Sequence, residues 1–490
     1  MIINNINVSN IHVTILFMPT PRRFIGRHRD LQRLQRHLDA VTSDSRGRLL
    51  SIRGRRQAGK SRLVTEFADR SGLPQLFFTA SLLATPREEL GRLASEACRS
   101  SLPSAAAFEG VTPDSWAGAL QLIASALPDG PAIVVLDEFP WMCQHSPSLE
   151  GALQVAWDRI LESLPVLFIL IGSDITMMEA LSAYERPLFG RVKEMVVEPF
   201  ELGDTAEMIA ANDPAVAIDA QLVTGGYPRL CAEWREAPDV MAFLDRQLAD
   251  ENSDLVDVGR TVLAAEFPPG LQATRVLRAI GGGERTNKAI AARSGFKDTP
   301  LARSLETLRT AKRMVAVERP VSLRPRNDPH YRIADPYLRF WLRFIGPSLP
   351  DIARGRPDMA FTRVQESWAD YRRLAVEPLV RESLERIEAT EPALAGVGVI
   401  GAYWTRTGDV EVDLIGVDRW PDAHQVAVTG SIKWREQAPF DKRDLAALAV
   451  RRSQVPGAEG SRLIAVSRSG CTTADVDRAY GPADLVGAWR

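Results

Sequence analysis

The sequence predicts an α/β fold built on a parallel β-sheet, and three observations support that prediction. The runs "AIVVLDE", "VLFILIGSD" and "KEMVVEPF" are largely continuous in apolar residues, which is typical of parallel strands buried on both faces. Segments with helical spacing of apolar residues alternate with these runs, which indicates a doubly wound arrangement. A fourth run, "RLLSIRG", ends in Gly54 and precedes a helical segment that stops at Gly72.

The composition is that of an ordinary globular protein. The chain has 490 residues, of which 45% are hydrophobic and 25% are charged, and this length suggests about three domains. The net charge of −2 gives no general argument for nucleic acid or for an anionic membrane. No apolar run reaches the roughly 20 residues of a membrane helix, so no membrane association is expected. Four widely spaced cysteines lack the pattern of a zinc site and suit the reducing cytoplasm.

A glycine-rich loop follows the fourth run and fits the pattern GxxxxGK[ST] at Gly54, Gly59, Lys60 and Ser61. Glycines let the backbone turn its N–H groups toward phosphate oxygens, and the following helix adds the positive end of its dipole. Lys60 is expected to contact the β- and γ-phosphates, and the Ser61 hydroxyl is expected to ligate Mg²⁺. The alternative is a glycine turn with a solvated lysine. We predict that ATP and Mg²⁺ bind here, through Gly54, Arg55, Arg56, Gln57, Ala58, Gly59, Lys60, Ser61 and Arg62.

Acidic and hydroxyl side chains end two of the buried runs. Asp137 and Glu138 close the first run, and Ser173 closes the second. Asp137 is expected to hold Mg²⁺ through water, and Glu138 is expected to act as the general base for the attacking water. Two interpretations of Ser173 remain open: a sensor of the γ-phosphate, or the cap of the helix that follows.

Several motifs, taken in this order, resemble the archaeal-type P-loop ATPases of the STAND/AAA+ class. "FIGRHRDLQRL" from Phe24 is similar to the first motif of that family, which borders the adenine pocket, and "LDEF" fits its acidic strand. "IGSDITMM", "PLFGR" and "TGGYPRL" fit three later motifs, and "YRIADPYLRFWLRF" resembles the segment that ends the family's winged helix. The resemblance covers nearly the whole chain from Phe24. It implies ATP binding, slow or regulated hydrolysis, and a conformational switch.

The resemblance also implies roles for residues outside the loop. Arg191, which ends "PLFGR", would act as a trigger on the γ-phosphate, in cis or from a neighbouring copy, and would be catalytic together with Lys60 and Glu138. The alternative for Arg191 is a structural ion pair or a solvated arginine. Gly226 and Pro228 would shape the lid against the base, unless they form an ordinary turn between helices.

The pattern between Leu271 and Ile333 predicts three short helices and a strand pair, which is the order of a winged helix. Two functions are open for it: packing on the nucleotide domain as a lid, or contact with duplex DNA. Glu306 and Glu318 dilute the positive charge that phosphate contact needs. The arginines available for such contact are Arg303, Arg309, Arg319, Arg324 and Arg326.

The last α/β segment resembles the restriction-endonuclease-like domain of the same family. That fold has an acid on a helix, an aspartate on a strand and Glu-x-Lys on the next strand; the carboxylates hold Mg²⁺ and the lysine orients the attacking water. Here Ser431 replaces the glutamate of Glu-x-Lys, and serine is a weak Mg²⁺ ligand. Glu411 shares a strand face with Asp413 and compensates in part. We expect a degenerate site, used for binding or docking, composed of Glu377, Glu411, Asp413, Ser431 and Lys433.

The predicted domain order starts with an N-terminal extension, in which either Met1 or Met18 is the translation start. The predicted boundaries are 1–23 for this extension, 24–200 for the P-loop ATPase domain, 201–268 for the helical lid, 269–345 for the winged helix, 346–372 for a linker and 373–490 for the nuclease-like domain.

The predicted function is an ATP-binding and ATP-hydrolysing switch. Its winged-helix and nuclease-like domains would act on double-stranded DNA or on a protein partner, including a second copy of the chain. One alternative is an ATP-gated DNA nuclease, against which Ser431 argues. The other is an ATP-responsive DNA-binding regulator with little turnover.

Overall fold

A computed structural model of the protein describes residues 24–235, 237–267, 271–324 and 328–490. The predicted N-terminal extension, residues 1–23, and Arg326 of the predicted wing lie outside these ranges. Within these ranges, no helix combines the length and the apolar character that crossing a membrane requires.

The first part of the chain forms a five-stranded sheet with all strands parallel and with the order β2-β3-β4-β1-β5. β3 and β4 are buried along their whole length, as their apolar runs predict. The prediction that β5 is buried on both faces is wrong. β5 lies at the edge of the sheet, where Lys193 and Glu194 are exposed. β2 has no counterpart among the predicted strands. The strands are β1 (Arg48–Arg53), β2 (Gln75–Thr79), β3 (Ala132–Asp137), β4 (Val166–Gly172) and β5 (Val192–Val196).

Helices cover both faces of this sheet, as the doubly wound prediction requires. Leu34 of α1 and Leu63 of α2 pack on one face, and Leu93 of α3, Leu120 of α4 and Leu153 of α6 pack on the other. The sheet is therefore the middle of three layers. The helices are α1 (His28–Asp44), α2 (Lys60–Ser71), α3 (Pro86–Arg99), α4 (Trp116–Ala126), α5 (Phe139–His145), α6 (Leu149–Arg159) and α7 (Ile175–Ala180).

Helices fill the region predicted as a lid. A tight turn joins the second and third of them, and Gly226 in that turn has φ +73°. Its carbonyl oxygen accepts a hydrogen bond of 2.7 Å from the N–H of Phe200, just beyond the sheet. A Cβ at Gly226 would lie 2.0 Å from the Phe200 carbonyl oxygen, so only glycine fits. The helices are α8 (Leu202–Ile209), α9 (Pro214–Thr224), α10 (Pro228–Trp234), α11 (Val240–Leu248) and α12 (Asp254–Glu266).

Three helices and a two-stranded antiparallel sheet come next, in the predicted order. Thr286 caps the second of these helices, as its side chain accepts a 3.3 Å hydrogen bond from the Ala289 N–H. The assignment of this region as a winged helix stays a prediction. The elements are α13 (Gln272–Gly281), α14 (Asn287–Ser294), α15 (Asp298–Glu306), which continues as a π-helical turn over Thr307–Ala311, β6 (Val315–Glu318) and β7 (His330–Ile333).

The segment 346–372 is helical, so its prediction as a linker is wrong. Its prolines and glycines suggested a linker, but Pro347 and Pro357 lie in the first turns of two helices, where proline is tolerated. The second helix buries Val364 and Trp368 in the core shared with the lid. The elements are α16 (Pro336–Phe340), which continues as a π-helical turn over Trp341–Ile345, α17 (Gly346–Ala353) and α18 (Pro357–Ala375).

A second five-stranded sheet forms the C-terminal part, with the order β12-β11-β10-β9-β8. β8, β9 and β10 pair antiparallel, whereas β10, β11 and β12 pair parallel. The restriction-endonuclease-like identity of this mixed sheet stays a prediction. The elements are α19 (Glu377–Ile387), β8 (Val399–Trp404), β9 (Glu411–Val417), β10 (Val426–Lys433), α20 (Lys442–Ser453), β11 (Arg462–Ser467), β12 (Arg478–Tyr480) and α21 (Pro482–Gly487).

One large apolar core extends from the lid into the C-terminal sheet, and two smaller clusters lie in the C-terminal part. The large core includes Phe243 of the lid, Leu277 of α13, Trp368 of α18, Val380 of α19 and Ile432 of β10. The lid, the predicted winged helix and the C-terminal sheet therefore pack as one unit.

Candidate functional site

The glycine-rich loop connects β1 to α2 at the carboxyl edge of the parallel sheet. Gly54 packs so closely that a Cβ would lie 2.1 Å from the Val197 carbonyl oxygen. Gln57 and Gly59 have φ values of +64° and +87°. Among the described residues, the backbone N–H groups of Arg56, Gln57 and Gly59 have no acceptor. These unpaired donors are what a phosphate group requires from such a loop.

Lys60, at the start of α2, is held by its own loop. It is 7% exposed, and its Nζ donates to the carbonyl oxygens of Gly54 and Arg55, each at 2.9 Å. Burial lowers the pKa of Lys60 to about 8, although Glu138 and Asp137 act in the opposite direction. A bound phosphate would replace the two carbonyl partners with a charged one, which fits the predicted role of this lysine.

The lowered pKa of Lys60 predicts that ATP binds more weakly at high pH. Without nucleotide, Lys60 loses its proton as the pH rises through about 8, whereas bound phosphate favours the protonated form. We therefore expect the Kd for ATP to rise by up to about tenfold per pH unit above pH 8. Titrations between pH 7 and pH 9.5 would measure this rise, since the phosphates are fully ionised there.

Lys60→Arg is the matched control for this titration, because arginine stays charged over the whole range. A Kd for the wild-type protein that is constant from pH 7 to pH 9.5 would contradict the assigned role of the Lys60 proton.

The two predicted acids end β3 beside the loop. Asp137 is 5% exposed, and burial raises its pKa, whereas hydrogen bonds from the Ser61 side chain, the Glu138 N–H and the Thr79 side chain lower it. The structure thus brings Ser61 and Asp137, the two predicted Mg²⁺ ligands, into contact. Their hydroxyl and carboxylate oxygens are ligands that Mg²⁺ accepts. Thr79 was missed, because the short strand β2 that it ends was not predicted.

Glu138 takes a left-handed backbone conformation, with φ +56°, directly after the strand. Its Oε2 accepts a 3.2 Å hydrogen bond from the Ser173 hydroxyl at the end of β4. The cap of α7 is Asp174, which accepts from the Met177 N–H at 2.9 Å, so the capping alternative for Ser173 is wrong. Burial, and secondly Asp137, raise the pKa of Glu138. A carboxylate with a raised pKa suits proton abstraction near neutral pH.

A cavity of about 660 Å³ opens beside Glu138 and Ser173. Its lining includes the cationic side chains of Arg56, Arg186 and Lys312. Glu150 and Glu266 line it as well and pair with Arg186 and Lys312. The cavity therefore places water-accessible space and groups of both charges next to the predicted general base.

Arg191 does not belong to this group of residues, and its predicted role as a trigger in cis is wrong. It precedes β5, whose first residue, Val192, pairs with Leu49 near the start of β1. The phosphate loop follows the other end of β1, roughly 15 Å away at the rise of a strand. Arg191 binds Asp158 through two contacts of 2.6 and 2.8 Å, so the ion-pair alternative describes it. A role of Arg191 at the site of a neighbouring copy stays a prediction.

Arg186, five residues earlier in the same motif, lines the cavity instead. It forms an ion pair with the buried Glu150, which fixes its position beside the site. The signal for Arg186 was present in "ERPLFGR", but spacing alone did not distinguish the two arginines.

The two arginines of the loop and the first arginine of α2 contact different partners. Arg55 donates to the Arg313 carbonyl oxygen at 2.9 Å, in the predicted winged helix. Arg56 lies over the Trp141 ring, 5.8 Å from its centre. Arg62 pairs with Glu66 one turn along α2, at 3.5 Å. Arg56 is therefore the loop arginine that borders the cavity.

The N-terminal motif and the lid meet over the loop. Arg27, 6% exposed with φ +62°, donates to the carbonyl oxygens of Ala58 and Glu198. A Cβ at Gly59 would lie 3.4 Å from the Cγ of Pro228, at the start of α10. "FIGR" and "GGYP", which are far apart in sequence, thus contact the phosphate loop from two sides.

The nuclease-like residues also come together, but each carboxylate already has a protein partner. Glu377 binds Arg381 at 2.9 Å, and Glu411 binds Arg285 at 2.9 Å. Asp413 accepts from the Ser431 hydroxyl at 3.0 Å and from the Ile432 N–H at 2.8 Å. Lys433 ends the same strand as Ser431.

The surroundings of Glu377, Glu411 and Asp413 do not favour the binding of a metal ion. Burial, with Asp413 and Glu411 nearby, raises the pKa of Glu377 to about 7, so Glu377 is half neutral at physiological pH. Among the described residues, the acids here do not form a group whose ligand atoms lie within 4.8 Å of one another. His330 of the hairpin also stacks on Trp404, with 4.1 Å between the ring centres, so the hairpin contacts the end of β8. The assignment of these residues as a degenerate nuclease site stays a prediction.

Comparison with known proteins gives a family match over residues 341–446, to the DUF234 family of "Archaea bacterial proteins of unknown function". The match begins in the turn after α16 and ends in α20, so it crosses from the shared helical core into the C-terminal sheet. The chain is also similar to the uncharacterized protein MJECL04 of Methanocaldococcus jannaschii, with 25% identity over 333 residues, which are 66% of this chain and 72% of the relative.

Solved structures of similar shape include a Walker-type ATPase of Pyrococcus abyssi, with 19% identity, a TM-score of 0.46, and coverage of 65% of this chain and 96% of that chain. Another is the ORC2 protein of Aeropyrum pernix in ADPNP and ADP complexes, with 15% identity, a TM-score of 0.43, and coverage of 70% and 98%. With these scores below 0.5, the argument for a nucleotide site depends on the geometry of the chain itself.

Proposed function

We propose that this protein binds ATP and hydrolyses it with Mg²⁺ at the loop 54–61. The observation that carries the proposal is the convergence of side chains from three strands at one edge of the sheet, next to unpaired backbone donors. A glycine turn with a solvated lysine would explain neither the burial of the lysine nor the two acids beside it. The converging residues are Lys60, Ser61, Asp137, Glu138 and Ser173.

Each of these residues has a proposed role in ATP binding or hydrolysis. The loop N–H groups and Lys60 bind phosphate oxygens. Ser61 and Asp137 hold Mg²⁺, which supplies positive charge against the phosphates. Glu138 accepts the proton of the attacking water, and the Ser173 hydroxyl holds the Glu138 carboxylate in place.

Nucleotide state is proposed to reach the rest of the chain through arginines around the loop. Arg53 binds Glu179 at 2.9 Å, and Arg313 of the predicted winged helix binds the same Glu179 at 2.7 Å. Arg55 donates to the Arg313 carbonyl oxygen. A polyanion in the loop competes for these cations, so its arrival biases the position of the winged-helix region.

Action on DNA or on a protein partner is the proposed output, with protein the better supported of the two. Arg309, in the turn after α15, pairs with Glu306. The segment after β6 is joined to the C-terminal sheet by a 2.8 Å hydrogen bond from the Val321 N–H to the Ala402 carbonyl oxygen. These contacts reduce the surface that a duplex would meet. A nuclease output is less well supported, because arginines already bind Glu377 and Glu411.

The experiment that tests the proposal measures ATP binding and phosphate release with Mg²⁺, with and without duplex DNA. Lys60→Ala removes a buried cation from the phosphates and is expected to weaken ATP binding at least about 100-fold. Lys442→Ala, an exposed lysine at the start of α20, is the matched control and is expected to change nothing. Equal ATP binding by Lys60→Ala and the wild type would contradict the site. Turnover raised by DNA would favour DNA as the output.

A further inference from the structure

A second cavity, of about 1,120 Å³, lies between α12, α13, α14 and the helices α16 to α18. Its lining contains no residue of the nucleotide site. The inner surface is apolar: Leu263 and Phe267 come from the end of α12, and Trp341, Leu342 and Phe344 come from the turn after α16. Such a surface binds apolar side chains when they are offered from outside.

The charge around this cavity has one sign. Among the described residues, six arginines line it and no aspartate or glutamate does. We name this feature the arginine groove; its cations are Arg260, Arg275, Arg278, Arg293, Arg343 and Arg363. The whole chain has a net charge of −2, so a single-sign rim is a local feature and not a consequence of composition.

Most of these cations lack an acidic partner in the described part of the chain. Arg260 pairs with Asp257, and Arg363 lies 3.7 Å from Asp351. Arg275 lies over the Phe296 ring, and Arg343 donates to the Gly282 carbonyl oxygen. Among the described residues, the side chains of Arg278 and Arg293, both exposed, form no ion pair or hydrogen bond. The rim therefore offers positive charge that the chain itself does not neutralise.

We propose that the arginine groove binds an acidic amphipathic helical segment of a partner protein. An amphipathic helix places apolar side chains on one face and carboxylates on its flanks. Its apolar face would cover the floor of the groove, and its carboxylates would reach the arginines of the rim. The positive rim and the apolar inner surface of the groove together match a helix that carries both carboxylates and apolar side chains.

Other occupants fit these observations less well. The chain's own residues 1–23 contain no acid and include Arg22 and Arg23, so their charge does not complement the rim. Duplex DNA offers phosphates but nothing for an apolar floor. The arginine groove, at about 1,120 Å³, is larger than the roughly 1,000 Å³ upper limit of small-molecule pockets, so a small molecule fits it less well than a helical segment does.

The test uses a fluorescent helical peptide of about four turns, with leucines on one face and glutamates on the other. We expect the full-length protein to bind it, with an affinity that falls as salt is added. The triple variant Arg275→Glu, Arg278→Glu, Arg293→Glu is expected to weaken binding at least about tenfold, because it replaces attraction by repulsion at exposed positions. Arg87→Glu with Arg406→Glu, two exposed arginines elsewhere, is the control and is expected to leave the affinity unchanged.

Two further peptides test the contribution of the apolar inner surface separately from that of the arginines. A peptide with lysines in place of the glutamates, and one with serines in place of the leucines, are each expected to bind at least about tenfold more weakly. Absence of binding, or binding that the triple variant does not weaken, would overturn the proposal. Binding of duplex DNA or of phosphatidylglycerol vesicles that depends on these arginines, with no binding of the peptide, would also overturn it.

Discussion

Glu138→Gln is expected to lower ATP turnover at least about 100-fold while ATP binding stays within about threefold of the wild type. Glutamine keeps the size of the side chain and can still contact Ser173, but it cannot accept a proton from water. Glu138 lies beside the cavity and not between Lys60 and its loop, so its loss leaves the phosphate-binding groups in place. Phosphate release and nucleotide affinity, measured on the same preparation, check both halves of this expectation.

Glu162→Gln is the control for this comparison. Glu162 lies near the opposite edge of the sheet and pairs with the exposed Arg46 at 2.8 Å, so its change is expected to leave turnover unaltered. Turnover of Glu138→Gln within about threefold of the wild type would show that another group acts as the base. Loss of ATP binding in this variant would show that Glu138 serves the fold of the loop.

Gly226→Ala is expected to destabilise the protein by at least about 3 kcal/mol. The backbone at Gly226 has φ +73°, and the new Cβ would lie 2.0 Å from the Phe200 carbonyl oxygen. A backbone atom cannot move aside as a flexible side chain does, so either the turn or the segment after the sheet must shift. The temperature of the first unfolding transition is expected to fall by about 5–10 °C, measured by calorimetry.

Gly72→Ala separates the two causes of that loss. Gly72 ends α2 with φ +65°, but no atom lies within 4 Å of the position of a Cβ there. Gly72→Ala therefore introduces the same left-handed backbone strain, worth about 1–2 kcal/mol, without a clash of the new Cβ with another atom. Equal effects of the two substitutions would mean that the contact between Gly226 and Phe200 does not hold the lid against the sheet.

Residue types and local spacing were enough to locate the glycine-rich loop and the two acids that lie beside it. GxxxxGK[ST] requires only neighbouring residues, and the end of a buried run locates Asp137 and Ser173 at the carboxyl edge of a parallel sheet. The prediction for Arg191 failed because its motif does not say which end of the strand it borders. β2 was missed because it has only five residues and its apolar run is short, with Leu76 and Phe78 buried between less buried neighbours.

Local chemistry is also what misled the linker prediction. Proline and glycine in "GPSLPDIARGRPD" indicate a break in structure, yet Trp368 and Val364 further along gain so much burial that the segment folds as helices. Burial against partners that are distant in sequence therefore outweighed local propensity.

The sequence by itself determined the parallel sheet, the glycine-rich loop at its carboxyl edge and the acids beside that loop, because these depend on short-range pattern and on chemistry that neighbouring residues carry. Only the tertiary structure decided that Arg186 and not Arg191 borders the cavity beside Glu138, and that arginines bind Glu377 and Glu411. It also decided that six arginines from several helices line one groove. These are contacts between residues far apart in the chain. They follow from how helices and sheets pack, which no local pattern of residues specifies.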